Sequence, residues 1–165
     1  DVPCPADARI ILASTLAKAS GLRGMVGGQA LDIAAETATT PLDLEEITTL
    51  QAGKTGALIA WAACAGPVMA DADTTPLSHY SNHIGLAFQI ADDILDVESD
   101  AATLGKAVQK DADAGKATFV SLLGLDEAKR RAHELVQLAC DALDVYGDDA
   151  ETLRECARFV VTRKN

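Results

Sequence analysis

Residues 88–100 read FQIADDILDVESD, and the fold turns on how three aspartates sit in so apolar a run. At about 100° per residue, Gln89, Asp92, Asp93 and Asp96 fall within an arc of roughly 100° on a helix, with Asp92 and Asp96 one turn apart. Phe88, Ile90, Ala91, Ile94, Leu95 and Val97 take the remaining directions. The spacing therefore predicts a helix buried in a bundle, with one acidic strip facing a wet cavity or bound cations. Carboxylates four apart repel, and burying an unpaired one costs several kcal/mol, so something must neutralise them. A solvated acidic face is the competing reading.

Working outward, most of the other segments also read as helix. Residues 6–19, 25–36, 41–70, 76–97, 127–146 and 150–163 carry helical periodicity, and a short segment at 117–123 precedes the last two. Gly21 suits a C-terminal stop and Pro41 a first turn, with Asp43, Glu45 and Glu46 complementing the helix N-terminus. The Gly27-Gly28 pair lowers helix propensity and predicts close approach by another helix or a ligand. Residues 99–115 read as a polar, glycine-containing loop. There is no repeat, low-complexity tract or linker, so the expectation is one all-α helical bundle over 1–165.

Composition agrees: 48% of residues are hydrophobic and only 4% aromatic, dominated by Ala and Leu. A net charge of −11 argues against nucleic acid and anionic membrane surfaces as partners. Cys4, Cys64, Cys140 and Cys156 are widely spaced and are expected to be reduced, mostly buried thiols of a cytoplasmic protein. No apolar run is long enough to span a bilayer, and the first residues lack the layout of a signal peptide.

Lysines follow the acidic strip. GKAVQKDADAGKAT places Lys106, Lys110 and Lys116 among small residues, and QAGKTGALIA adds Lys54 with Thr55. Lysine is a mobile point-charge donor to phosphate, and Mg²⁺ takes one or two carboxylates together with substrate phosphates. Carboxylates beside lysines thus predict a site for Mg²⁺ and a diphosphate. Gly53-Lys54-Thr55 does not complete a nucleotide P-loop: the required first glycine would fall at Thr48, and no strand precedes it. His79 and His83 lack a third ligand and read as surface or packing residues.

Four motifs in order, GMVGGQALD at 24–32, LQAGKTGALI at 50–59, IGLAFQIADDILD at 84–96 and LGKAVQKDADAGKATFVSLLG at 104–124, resemble the trans-isoprenyl diphosphate synthases of bacterial farnesyl and geranylgeranyl type. The resemblance covers most of the chain. It implies the C-terminal portion of the isoprenoid synthase fold, in which two aspartate-rich motifs face each other across a deep pocket. DDILD is similar to the second of these.

By that resemblance Asp92, Asp93 and Asp96 hold Mg²⁺, with Asp92 the first candidate for a direct ligand. Lys54, Thr55 and Gln89 bind or orient the allylic diphosphate, Lys106 and Lys116 bind diphosphate later in the chain, and Asp92, Asp93 and Lys54 form the catalytic set. The implied reaction condenses an allylic diphosphate with isopentenyl diphosphate, most closely as a farnesyl diphosphate synthase, in a homodimer with the 24–32 helix as candidate interface. The family's first motif, DDxxxxD, is missing: the required spacing gives Glu98 after Asp92-Asp93 and Arg154 after Asp148-Asp149. The expectation is that the chain corresponds to the C-terminal half of a synthase and does not elongate substrates alone. A non-catalytic homologue that modulates a complete synthase and a class I terpene cyclase are the alternatives.

Overall fold

The computed structural model describes residues 4–104 and 117–163, in which every regular element is helical. Lys106, Lys110 and Lys116, expected to bind diphosphate, lie outside the described residues.

Helix α1 (Ala6–Ser20) stops where the Gly21 amide bonds back to the Ala17 and Lys18 carbonyls, and α2 (Met25–Glu36) follows a short turn. The helix expected over 41–70 begins later, at α3 (Leu44–Gln51). There a capping box decides the start, Asp43 accepting from the Glu46 amide and the Glu46 carboxylate accepting from the Asp43 amide. Satisfying two orphan amides at once outweighs the preference of Pro41 for a first turn. The chain then winds through a π turn at Ala52–Gly56 directly into α4 (Ala57–Met69).

Helix α5 (Thr75–Leu104) runs 30 residues, about 45 Å. It continues through the first part of the expected 99–115 loop, since residues 99–104 hold no glycine or proline and Gly105 is the first to follow. A short α6 (Phe119–Leu123), capped reciprocally by Thr118 and Ser121, leads to α7 (Leu125–Asp141). The helix expected over 127–146 thus ends early, passing into a 3₁₀ segment, Asp144–Ala150, in which Gly147 takes a positive φ of 54°. Arg154 on α8 (Glu151–Thr162) fixes that turn by donating to the Leu143 carbonyl at 3.1 Å and the Gly147 carbonyl at 2.8 Å.

The core lies where α5 packs against α7 and α8. Ala87 and Ala91 on α5 and Ala128, Ala132 and Ala139 on α7 belong to one buried cluster, small side chains that let the two backbones approach, and Ile90, Ile94, Leu135 and Phe119 fill the rest. Phe88, Leu95 and Val97 are only half-buried, so α5 is covered on one side and partly open on the other. On the opposite flank α1 packs on α4, where the Trp61 indole N–H donates to the Leu12 carbonyl at 3.2 Å and to Thr15 Oγ1 at 3.1 Å.

All four cysteines are free thiols, but only Cys140 is buried. Cys4 and Cys64 are half-buried and Cys156 is exposed, which corrects the expectation of mostly buried thiols. Among the described residues no helix is long and apolar enough to cross a membrane.

Candidate diphosphate and metal site

The π turn is the first element of the site. A π turn holds one residue more than an α turn and often marks functional positions. Here it carries Lys54 and Thr55 between α2 on one side and α5 on the other. Contact with α2 is backbone to backbone: a Cβ on Gly28 would lie 2.1 Å from the Lys54 nitrogen and 2.6 Å from its Cα. The close approach expected of the glycine pair is therefore real, and Gly28 makes it.

Asp32, one turn along α2, is 4% exposed and accepts from Lys54 Nζ at 2.6 Å. On the other side Gln89 Nε2 donates to Thr55 Oγ1 at 3.1 Å. Thr55 is thereby tied to α5 about one turn before Asp92 and Asp93.

Each aspartate of DDILD has its own surroundings. Asp92 pairs with Arg163, just beyond the end of α8, and that guanidinium also lies 4.1 Å from the centre of the Phe88 ring. Burial pushes the Asp92 carboxyl above the ordinary carboxylate range, and the Asp96 charge adds to this, while Arg163 pulls the other way without prevailing. Asp93 Oδ2 accepts from the Phe119 amide at 2.7 Å, anchoring the start of α6. Asp96 is exposed.

The strip expected from helical spacing thus fans out toward α8, α6 and solvent. Among the described residues, no group of three or more His, Cys, Asp or Glu is arranged to hold a metal ion. The donors nevertheless suit a hard cation. Asp92 is a partly buried carboxylate whose charged form is disfavoured foremost by desolvation, Asp96 lies one turn further along, and Mg²⁺ takes one or two carboxylates when phosphate oxygens supply the rest.

The structure therefore joins Thr55 to Gln89 by one direct hydrogen bond, with Lys54 beside Thr55 in the π turn, and sets Asp92, Asp93 and Asp96 on the following turns of α5. Two neighbours were not singled out from the sequence. Asp32 could have been found as the acid in the middle of the apolar run of α2, four residues after Gly28 and one turn before Glu36 ends the helix, whereas Arg163 sits in a basic tail with no pattern linking it to Asp92. His79 and His83 stay apart from this site: His79 is exposed, and burial foremost, with His79 and Arg131 nearby, lowers the proton affinity of His83. Lys54 follows helix, as the failed P-loop spacing required.

Beside the π turn opens a cavity of about 280 Å³, lined mostly by small and apolar residues such as Ala57, Ala60 and Leu86, with Thr48, Gln51 and Asn82 as polar members.

These features define an all-α protein with a carboxylate-bearing helix set against a lysine-bearing turn. The chain belongs to the polyprenyl synthetase family, whose model matches residues 10–157. It is 42% identical over 162 residues to the farnesyl diphosphate synthase of Escherichia coli, covering 94% of this chain and 54% of that protein. The crystal structure of an FPP/GFPP synthase from Zymomonas mobilis superposes with a TM-score of 0.85 at 46% identity, over 95% of this chain and 52% of that one. A geranyltransferase from Helicobacter pylori, crystallised with magnesium and isoprenyl diphosphate, gives a TM-score of 0.72 at 32% identity, over 96% and 52%. The chain spans about half the length of the relatives it matches.

Proposed function

We propose that a protein carrying this chain condenses an allylic diphosphate with isopentenyl diphosphate, acting as a farnesyl diphosphate synthase with Mg²⁺. The observation that carries this reading is the Gln89–Thr55 hydrogen bond, which ties the lysine-bearing turn to the helix of Asp92, Asp93 and Asp96.

Lys54 supplies a mobile positive charge for the diphosphate. Because Thr55 Oγ1 accepts from Gln89, its own hydroxyl hydrogen is available to donate to a diphosphate oxygen. Asp92 and Asp96 would hold Mg²⁺, with Asp93 beside them and fixed through Phe119. Bound Mg²⁺ would neutralise the charge that builds on the departing diphosphate. The small-residue cavity beside the π turn gives an apolar tail a place to lie out of water, where a developing carbocation is protected from hydrolysis.

A homodimer accompanies this reading, supported by the apolar side chains left exposed around α2, with Leu22 at 81% exposure and Val26, Leu31 and Ile33 beside it. Substrates are the two diphosphates, and the farnesyl diphosphate synthases among the relatives tilt the product toward fifteen carbons.

The test is to express the full reading frame that encodes this chain and incubate the protein with Mg²⁺, geranyl diphosphate and isopentenyl diphosphate. A diphosphate five carbons longer is the expected product. Release of a cyclised hydrocarbon would move the protein to the terpene cyclases, and absence of any turnover would leave the modulating homologue standing.

A further inference from the structure

The geometry points to Asp32 as the positioning residue of Lys54, holding its ammonium group where a diphosphate is to be bound. This rests on the reading of Lys54 as a diphosphate ligand given above.

A lysine on a four-carbon stem loses much rotamer freedom when its head is held in one place, and nothing in the lysine itself selects that place. Here the selection comes from α2. Gly28 lacks the Cβ that would strike the Lys54 backbone, so the helix comes close enough for Asp32, one turn further, to lie against the Lys54 ammonium. The two partners differ in exposure: Asp32 is 4% exposed, while the Lys54 side chain keeps 32% of its surface open. An ion pair serving only to join α2 to the π turn has no need of an accessible ammonium. A buried carboxylate gripping one N–H of an open ammonium leaves two N–H groups for an incoming anion, at a point fixed by the helix.

Thr55, the next residue, is fixed in the same way from the other side by Gln89. The Lys54 head and the Thr55 hydroxyl are therefore each oriented by a separate helix, α2 and α5, before any ligand arrives. Such advance orientation lowers the cost of binding.

The experiment is a double-mutant cycle read by calorimetric binding of inorganic diphosphate with Mg²⁺, alongside thermal unfolding. Asp32→Asn is expected to weaken binding about tenfold, the size of coupling found within one ion-pair network. Lys54→Ala is expected to weaken it at least as much. In the Lys54→Ala background Asp32→Asn should have no further effect, whereas any change in melting temperature caused by lost packing would persist. Asp32→Glu, which keeps the charge but moves the carboxylate by one methylene, should weaken binding less than Asp32→Asn, and it carries the test if Asp32→Asn does not fold.

Wild-type affinity in both Asp32 variants, with a loss in Lys54→Ala, overturns the positioning role and leaves Lys54 as a ligand. An equal loss from Asp32→Asn with and without Lys54 also overturns it, since the effect then does not pass through the lysine. Unchanged binding in Lys54→Ala, or no binding by the wild type, overturns the ligand reading itself and the role of Asp32 with it.

Discussion

Tyr80 illustrates how much a single side chain on α5 carries outside the candidate site. Its hydroxyl donates to the Leu153 carbonyl at 2.9 Å, joining α5 to α8, and burial foremost pushes its pKa up to about 12. Because the folded value lies above the ordinary one, this contribution is complete below pH 10 and is lost as pH rises from about 10 through 12. Tyr80→Phe should cost about 1 kcal/mol at neutral pH through the lost hydrogen bond. Denaturant titrations at pH 9 and pH 11.5 should show a smaller alkaline loss of stability in the variant than in the wild type.

Asp92 carries the catalytic prediction: in the full-length protein Asp92→Ala should lower kcat by orders of magnitude, because a cation ligand is lost where charge develops. Undiminished turnover would remove the metal role assigned to it. The identity of these aspartates was legible in the sequence because helical spacing alone puts them together. Their separate surroundings were not, since the Phe119 amide and the Arg163 guanidinium arrive from segments 26 and 71 residues away.

Among the elements, the approach of α2 to the π turn has the sharpest consequence for substitution. A Cβ on Gly28 would meet backbone atoms, which cannot swing aside, so Gly28→Ala should destabilise the protein by about 1–3 kcal/mol or more. Gly66 in α4 is the milder case: beyond its chain neighbours a Cβ there meets nothing within 4 Å, but Pro67 follows and disfavours a helical residue with a Cβ before it, so Gly66→Ala should cost less than Gly28→Ala. Melting temperatures of the two variants, Gly28→Ala falling further, check the pair.

Helix starts and stops show the same division between local and distant causes. The bounds of α2 could be read from the sequence directly, as could the stop of α1 at Gly21. The start of α3 depends on a reciprocal cap that Asp43 and Glu46 spell out but Pro41 obscures. The end of α7 depends on Arg154, a side chain from the following helix that takes up the Leu143 and Gly147 carbonyls. No pattern within residues 127–146 announces that.

For the molecule as a whole, the net charge of −11 is the dominant long-range term. Self-repulsion among exposed carboxylates is screened within about 10 Å at 0.1 M salt but reaches about 30 Å at 0.01 M. The melting temperature should therefore rise as NaCl is raised from 10 to about 150 mM, a range in which the Debye length contracts to about 8 Å. A calorimetric series in salt would check this, and a falling melting temperature would mean that ion pairs such as Lys129–Glu98 outweigh the repulsion.

The π turn also governs which changes of chain length the molecule can bear. It inserts its extra residue into a helical path that runs from Leu44 to Met69, and the chain after it stays in register with the rest of the bundle. Deleting one residue between 52 and 56 would leave an unbroken α-helix of good local quality. Yet every later side chain on α4 would swing by about 100° around the axis. Trp61 would turn away from Leu12 and Thr15, and the face of α4 now packed on α1 would look elsewhere. The residue count of the segment is locked, as the tooth count of a gear is locked by the wheel it meets.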